Sequence, residues 1–198
     1  MSEFRASRTA VLVCQGRAVA DGRLAPGRFA DPTAEPLLRE DERTLVERVR
    51  DESPPPGWVP RLDYEMVRGS SEVVVPRTVA IDDAVRSGPR SQVVILGAGL
   101  DGRAWRMPEL AESEVFEVDQ PASQRDKQDR AAGLSGAKPR YVPVDFGRDN
   151  LADALKTAGH RFTVQRDDNL VSLATTLRMP IHRRGSLENS RVAVADHA

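Results

Sequence analysis

Apolar positions recur at helical spacing up to about residue 90, and beyond it they gather into short runs. Val11, Leu12, Ala18 and Val19 fit one helix over 8–20, although Gly16 lowers its helical propensity. The stretch 26–32, with Pro26, Gly27 and Pro32, reads as loop. Leu37, Leu38, Leu45, Val46 and Val49 place one apolar face on a helix over 36–50. Ser53-Pro54-Pro55-Pro56-Gly57 then breaks the chain, because it lacks three amide donors in a row. Residues 62–85 read as mostly helical, with an interruption near Pro76.

The second texture begins at Gln92-Val93-Val94-Ile95-Leu96, an apolar run of the kind buried on both faces of a parallel sheet. Two further strands are predicted at 114–118, ending at Asp119, and at 140–144, ending at Asp145. Helices are predicted at 103–112, broken early by Pro108, at 121–133, and at 149–158 with a stop at Gly159. Strands alternating with helices predict an α/β fold with a parallel, doubly wound sheet. The tail reads as a strand at 162–165, a helix at 167–178 and a strand at 191–195. The division expected is a helical arm over 1–90 and one α/β unit over 91–198.

Charge narrows the classes of function. The 198 residues carry 29 basic and 30 acidic side chains, a net charge of −1, so no basic face for nucleic acid is expected. No apolar run is long enough to span a bilayer, and the N-terminus lacks a secretory apolar core. The single Cys14 excludes an internal disulfide and reads as a buried small residue. His160, His182 and His197 share no metal-ligand spacing, and no metal is expected. These features predict a cytoplasmic protein that binds neither nucleic acid nor membrane; a small-molecule substrate is implied only by the chain's motifs.

The chemistry concentrates in Gly97-Ala98-Gly99-Leu100-Asp101-Gly102, between the first strand and the next helix. Glycines there let a ligand approach the backbone closely. Asp119 and Asp145 close the next two strands, so one crevice at the carboxyl edge of the sheet gathers a glycine loop and two carboxylates. An acid at the first of these ends suits ribose hydroxyls; at the second it suits an adenine amino group. A dinucleotide and S-adenosylmethionine both fit this pattern. The short helix before Pro108 and the lack of a recognisable nicotinamide site favour S-adenosylmethionine. Asp101 is as well explained as a helix cap, and Glu117 as half of a structural ion pair.

The segment Val94-Ile95-Leu96-Gly97-Ala98-Gly99-Leu100-Asp101-Gly102-Arg103-Ala104-Trp105-Arg106 resembles the glycine motif of the leucine carboxyl methyltransferase family, in its bacterial branch of class I S-adenosylmethionine-dependent O-methyltransferases. The stretches 75–83, 115–121 and 141–146 agree with it, as do 7–10 and 28–32. The resemblance implies a Rossmann-like class I methyltransferase sheet and S-adenosylmethionine as cofactor. It implies that Arg77 pairs with the methionine carboxylate, and that Gly97, Ala98 and Gly99 cradle the cofactor. Asp119 would hold the ribose, and Asp145 with Phe146 would contact the adenine. Tyr64 and Arg68 are the residues offered to the substrate, an acceptor oxygen such as a carboxylate; the resemblance points to no catalytic base.

After Gly159-His160 the resemblance passes to what looks like the family's extreme C-terminus, leaving out roughly a hundred residues of a domain of typical size. The sheet is therefore expected to be shortened. The exposed edge of strand 92–96 would be covered by 191–195 with 162–165 beside it, or by residues 161–198 exchanged within a homodimer. Three readings follow: a methyltransferase, an inactive shortened relative that binds without turnover, or an NAD-binding Rossmann protein.

Overall fold

The computed structural model describes residues 7–162 apart from Pro89, together with the backbone of Val171–Ala174. Three helices open the chain. α1 (Arg8–Ala20) starts at Ser7, whose side chain accepts from the Ala10 amide and caps the first turn. α2 (Glu40–Arg50) begins four residues later than the apolar pattern predicts. Leu37 and Leu38 are buried from the turn that precedes it. α3 (Trp58–Arg86) is one helix of 29 residues, and Pro76 lies within it. Pro76 is exposed, on the side of the helix away from the core. The predicted interruption is therefore absent.

The sheet that follows is parallel, in the order β3-β2-β1-β4. β1 (Gln92–Leu96) lies beside β2 (Glu114–Asp119) with Val94 opposite Phe116, and β3 (Arg140–Pro143) lies beyond β2. α4 (Arg103–Arg106) is a single turn ended before Pro108, and residues Pro108–Leu110 form a tighter helical turn. α5 (Pro121–Arg130) and α6 (Leu151–Thr157) complete the crossovers. The strand at the free edge of β1 is β4 (Val171–Ala174), with Ile95 opposite Leu173. This corrects the helix predicted over 167–178. It also corrects the expectation that 191–195 covers β1; that segment, and all but Phe162 of 162–165, lies outside the described residues.

Alternation along β1 and β2 separates two cores. Val93, Ile95 and Val115 face Ile81 and Val85 of α3 and Ala104 of α4. Val94, Phe116 and Val118 face Leu155 of α6. Helices therefore cover both faces, giving the Rossmann-like, shortened, doubly wound arrangement expected. A third core joins α1, α2 and the first half of α3 through Cys14, Val46, Tyr64 and Val67, and it includes Leu100 of the glycine loop. No helix of the described residues is long and apolar enough to cross a membrane.

Candidate functional site

The glycine loop leaves the carboxyl end of β1 in a conformation that requires glycine. Gly97 has φ +62° and Gly99 φ +49°, the left-handed region that side chains disfavour. The Ala98 amide donates to the Val118 carbonyl at 3.1 Å, continuing the pairing with β2 past the strand end. The Gly99 amide then donates to Asp119 Oδ2 at 2.6 Å, and the Gln120 amide donates to Oδ1 at 2.7 Å. The structure thus brings Gly97, Ala98, Gly99 and Asp119 together at one strand end. Each Asp119 oxygen keeps a further lone pair for a hydroxyl donor.

Asp145 and Phe146 stand one strand further along the same edge. The Val144 amide donates to the Asp119 carbonyl, which ties the two strand ends together. Asp145 Oδ1 accepts from the Gly147 amide at 3.0 Å, and Phe146 is exposed. Arg77 is half-buried on α3; burial, and then the charge of Arg103, lowers the pKa of its guanidinium. Tyr64 belongs to the core between α1 and α3. Arg68 lies on the exposed side of α3, paired with Glu65 at 2.8 Å.

α1 lies over the loop. Thr9, Ala10, Val13 and Arg17 enclose, with residues 97–101, a cavity of about 20 Å³, the room of a single water. A Cβ added to Gly99 would come within 2.9 Å of Ala10 Cβ, and one added to Gly102 within 1.8 Å of Thr33 Oγ1. The loop glycines thus serve two purposes: positive φ, and close seating of the N-terminal segment on the sheet.

A chain of buried charges, not foreseen in the sequence, runs beneath this contact. Arg17 of α1 donates to the Leu100 carbonyl at 2.6 Å and pairs with Asp31 at 3.2 Å. Asp31 lies 3.5 Å from Arg106, which reaches Asp82 of α3 at 2.8 Å. Asp82 also accepts from Arg103 Nε at 2.8 Å, and Arg103 bonds Asp101. The side chains of all six are at most 4 % exposed. Three arginines and three aspartates alternate, so every buried charge meets its opposite. Burial acts to raise the Asp101 carboxyl, but Arg103 and Arg17 hold it well below the usual carboxylate range. Asp101 Oδ1 also accepts from the Arg103 amide at 2.8 Å, a turn that leads into α4, but the N-cap position itself is Gly102 and not Asp101.

A second buried pair joins β2 to α5. Lys127 donates to Glu117 Oε2 at 2.5 Å and lies 5.3 Å from the Trp105 ring centre. Burial pushes the Glu117 carboxyl up to about 7 and outweighs the pull of Lys127. This is the structural ion pair expected of Glu117. Cys14 is fully buried, and burial pushes its thiol up to about 11.

Comparison with known proteins bears on this geometry. A family model described as Leucine carboxyl methyltransferase matches residues 10–176. Proteins of Mycobacterium bovis (strain BCG / Pasteur 1173P2) and Mycobacterium tuberculosis (strain ATCC 25618 / H37Rv) are 40% identical over 161 residues, and one of Mycobacterium sp. (strain KMS) is 39% identical over 165. All three are provisionally named S-adenosyl-L-methionine-dependent methyltransferases. Each alignment covers 76% of this chain and 51% of the relative, so the chain spans about half the length of the curated relatives it matches.

Proposed function

Because the chain belongs to the leucine carboxyl methyltransferase family, we propose that it binds S-adenosylmethionine at the glycine loop and transfers its methyl group to an oxygen of a small molecule, such as a carboxylate. The observation that carries this reading is the unit made by Gly97, Ala98, Gly99 and Asp119, closed by the 2.6 Å bond from the Gly99 amide. Its donor set suits the group: a loop without a Cβ at Gly97 and Gly99, a carboxylate beside it for ribose hydroxyls, and a second carboxylate, Asp145, one strand away. Bound S-adenosylmethionine would supply an electrophilic methyl on a sulfonium. The chain's own part is alignment and exclusion of water, which asks for no strong general base. Arg77 would meet the methionine carboxylate as a charge-assisted pair, and Phe146 with Asp145 would border the adenine. Thr9, Ala10 and Val13 would have to yield for the cofactor to enter, since the cavity beneath them holds only a water. The proposed site of action is the cytoplasm.

Calorimetric titration tests the reading. S-adenosylmethionine or its demethylated product should bind, and Asp119→Ala should weaken binding by about 1–3 kcal/mol, the scale of a lost hydrogen bond to a charged group. No heat from a folded protein would overturn it, and heat with NAD instead would assign the loop to a dinucleotide.

The close seating of Thr9, Ala10 and Val13 over the glycine loop favours a second reading, a relative that binds without turnover. Binding with no methyl transfer to any acceptor would select it.

A further inference from the structure

α3 is apolar on two opposite sides. One side, with Tyr64, Val67, Val74, Ile81 and Val85, enters the protein's own cores. On the other, Val59, Leu62, Met66, Gly69, Val73, Pro76 and Ala80 follow one another at alternating spacings of three and four, the seam of a coiled coil. Six of the seven are exposed, Gly69 is half-buried, and Val73 remains 62% accessible. Trp58, 78% accessible, extends the stripe at its N-terminal end. A stripe this long on one helix marks an interaction surface rather than scattered surface apolarity.

We propose that this stripe is a dimer interface, and that its occupant is α3 of a second copy running antiparallel about a two-fold axis that crosses the stripe between Gly69 and Val73. In that register the layers between residues 62 and 80 each set a large side chain against a small one, and Val59 falls opposite Asp83 at the rim. Leu62 meets Ala80 of the second copy, Met66 meets Pro76, and Val73 meets Gly69, with the reciprocal contacts repeated by symmetry. A Cβ placed on Gly69 meets nothing within 4 Å, so the space a partner's Val73 needs is open. Parallel pairing would instead stack Gly69 on Gly69 and Met66 on Met66, leaving a gap beside a crowded layer. The exposed Trp58, Val59, Leu62, Met66 and Val73 offer about 500 Å² per copy, so two copies approach the roughly 1,000 Å² that a specific interface needs. Leu62 and Val73 take part in no core of the protomer, so changing them separates association from folding.

Light scattering behind a sizing column, on the full chain at micromolar concentration, should give about twice 21.7 kDa. Leu62→Glu and Val73→Glu should each return the monomer mass with an unchanged circular dichroism spectrum. A double variant, Gly69→Cys with Val73→Cys, should form a covalent dimer on mild oxidation, since the buried Cys14 stays out of reach. A monomeric wild type overturns the proposal. So does a dimer that survives both glutamate substitutions, which would place association elsewhere, as in an exchange of residues 161–198. Monomerisation by glutamate without cross-linking overturns the antiparallel register.

Discussion

Asp82 and Asp83 are neighbours in sequence, and the buried charge chain predicts opposite fates for them on truncation. Asp82 is 2% exposed and neutralises both Arg103 and Arg106 at 2.8 Å. Asp82→Ala leaves two buried guanidiniums sharing Asp101 and Asp31, with the cluster one negative charge short. Breaking a buried pair in this way costs about 3–5 kcal/mol, a large share of the roughly 5–15 kcal/mol that holds a domain folded. In thermal terms the loss is roughly 6–20 °C, at about 2–4 °C per kcal/mol for a chain of this size. Asp83 also contacts two arginines, Arg28 at 2.9 Å and Arg86 at 3.4 Å, but its side chain is 49% exposed. Water screens those pairs, and Asp83→Ala should cost less than about 1 kcal/mol. Urea unfolding followed by circular dichroism measures both. Equal losses for the two variants, or a loss below about 1 kcal/mol for Asp82→Ala, would refute the claim that this chain joins the N-terminal segment to the sheet.

Gly102→Ala should destabilise the fold by about 1–3 kcal/mol, because the new methyl meets Thr33 and the close-packed seat must open; a thermal melt unchanged from wild type would contradict the seating. Glu117 makes stability depend on pH. Its folded pKa, about 7, lies above the usual 4.5, so its contribution is fully present below about pH 4.5 and is lost as pH rises through 7. Relative to Glu117→Gln, wild-type stability should therefore fall across that window, and parallel stability curves for the two proteins would show the burial argument to be wrong.

Much of the sheet was legible because β1 is an apolar run and β2 carries Val115, Phe116 and Val118, both bounded by loop and turn residues, and their carboxyl ends bear the glycines and Asp119. The glycine loop was legible for the same reason, since a strand followed by Gly-x-Gly has few local alternatives. β4 was not. Val171-Ser172-Leu173-Ala174 is too short for periodicity to separate helix from strand, and what decides is a demand made some eighty residues earlier, the unpaired edge of β1. Pro76 misled in the other direction. A proline removes one amide donor, but on the exposed side of a long helix anchored at both ends that loss does not stop the helix. The charge chain was invisible because its members are brought together by tertiary structure: Arg17 to Asp31, Asp31 to Arg106, Asp82 to Arg103. No window along the sequence contains them.

The manner in which α1 is held has a bearing on native-state motion. Every residue from Cys14 to Ala20 is buried, and Arg17 fastens that half to both Asp31 and the Leu100 carbonyl. From Ser7 to Val13 no side chain is fully covered. Opening the first half breaks little; opening the second breaks the Arg17 bonds to Asp31 and the Leu100 carbonyl and exposes Cys14, Ala18 and Val19 to water. The free energy of opening therefore climbs along thirteen residues of one helix, from fraying at its start toward global unfolding at its end. Thr9, Ala10 and Val13, which cover the glycine loop, sit on the low side of that gradient, and the pivot lies at the first buried turn.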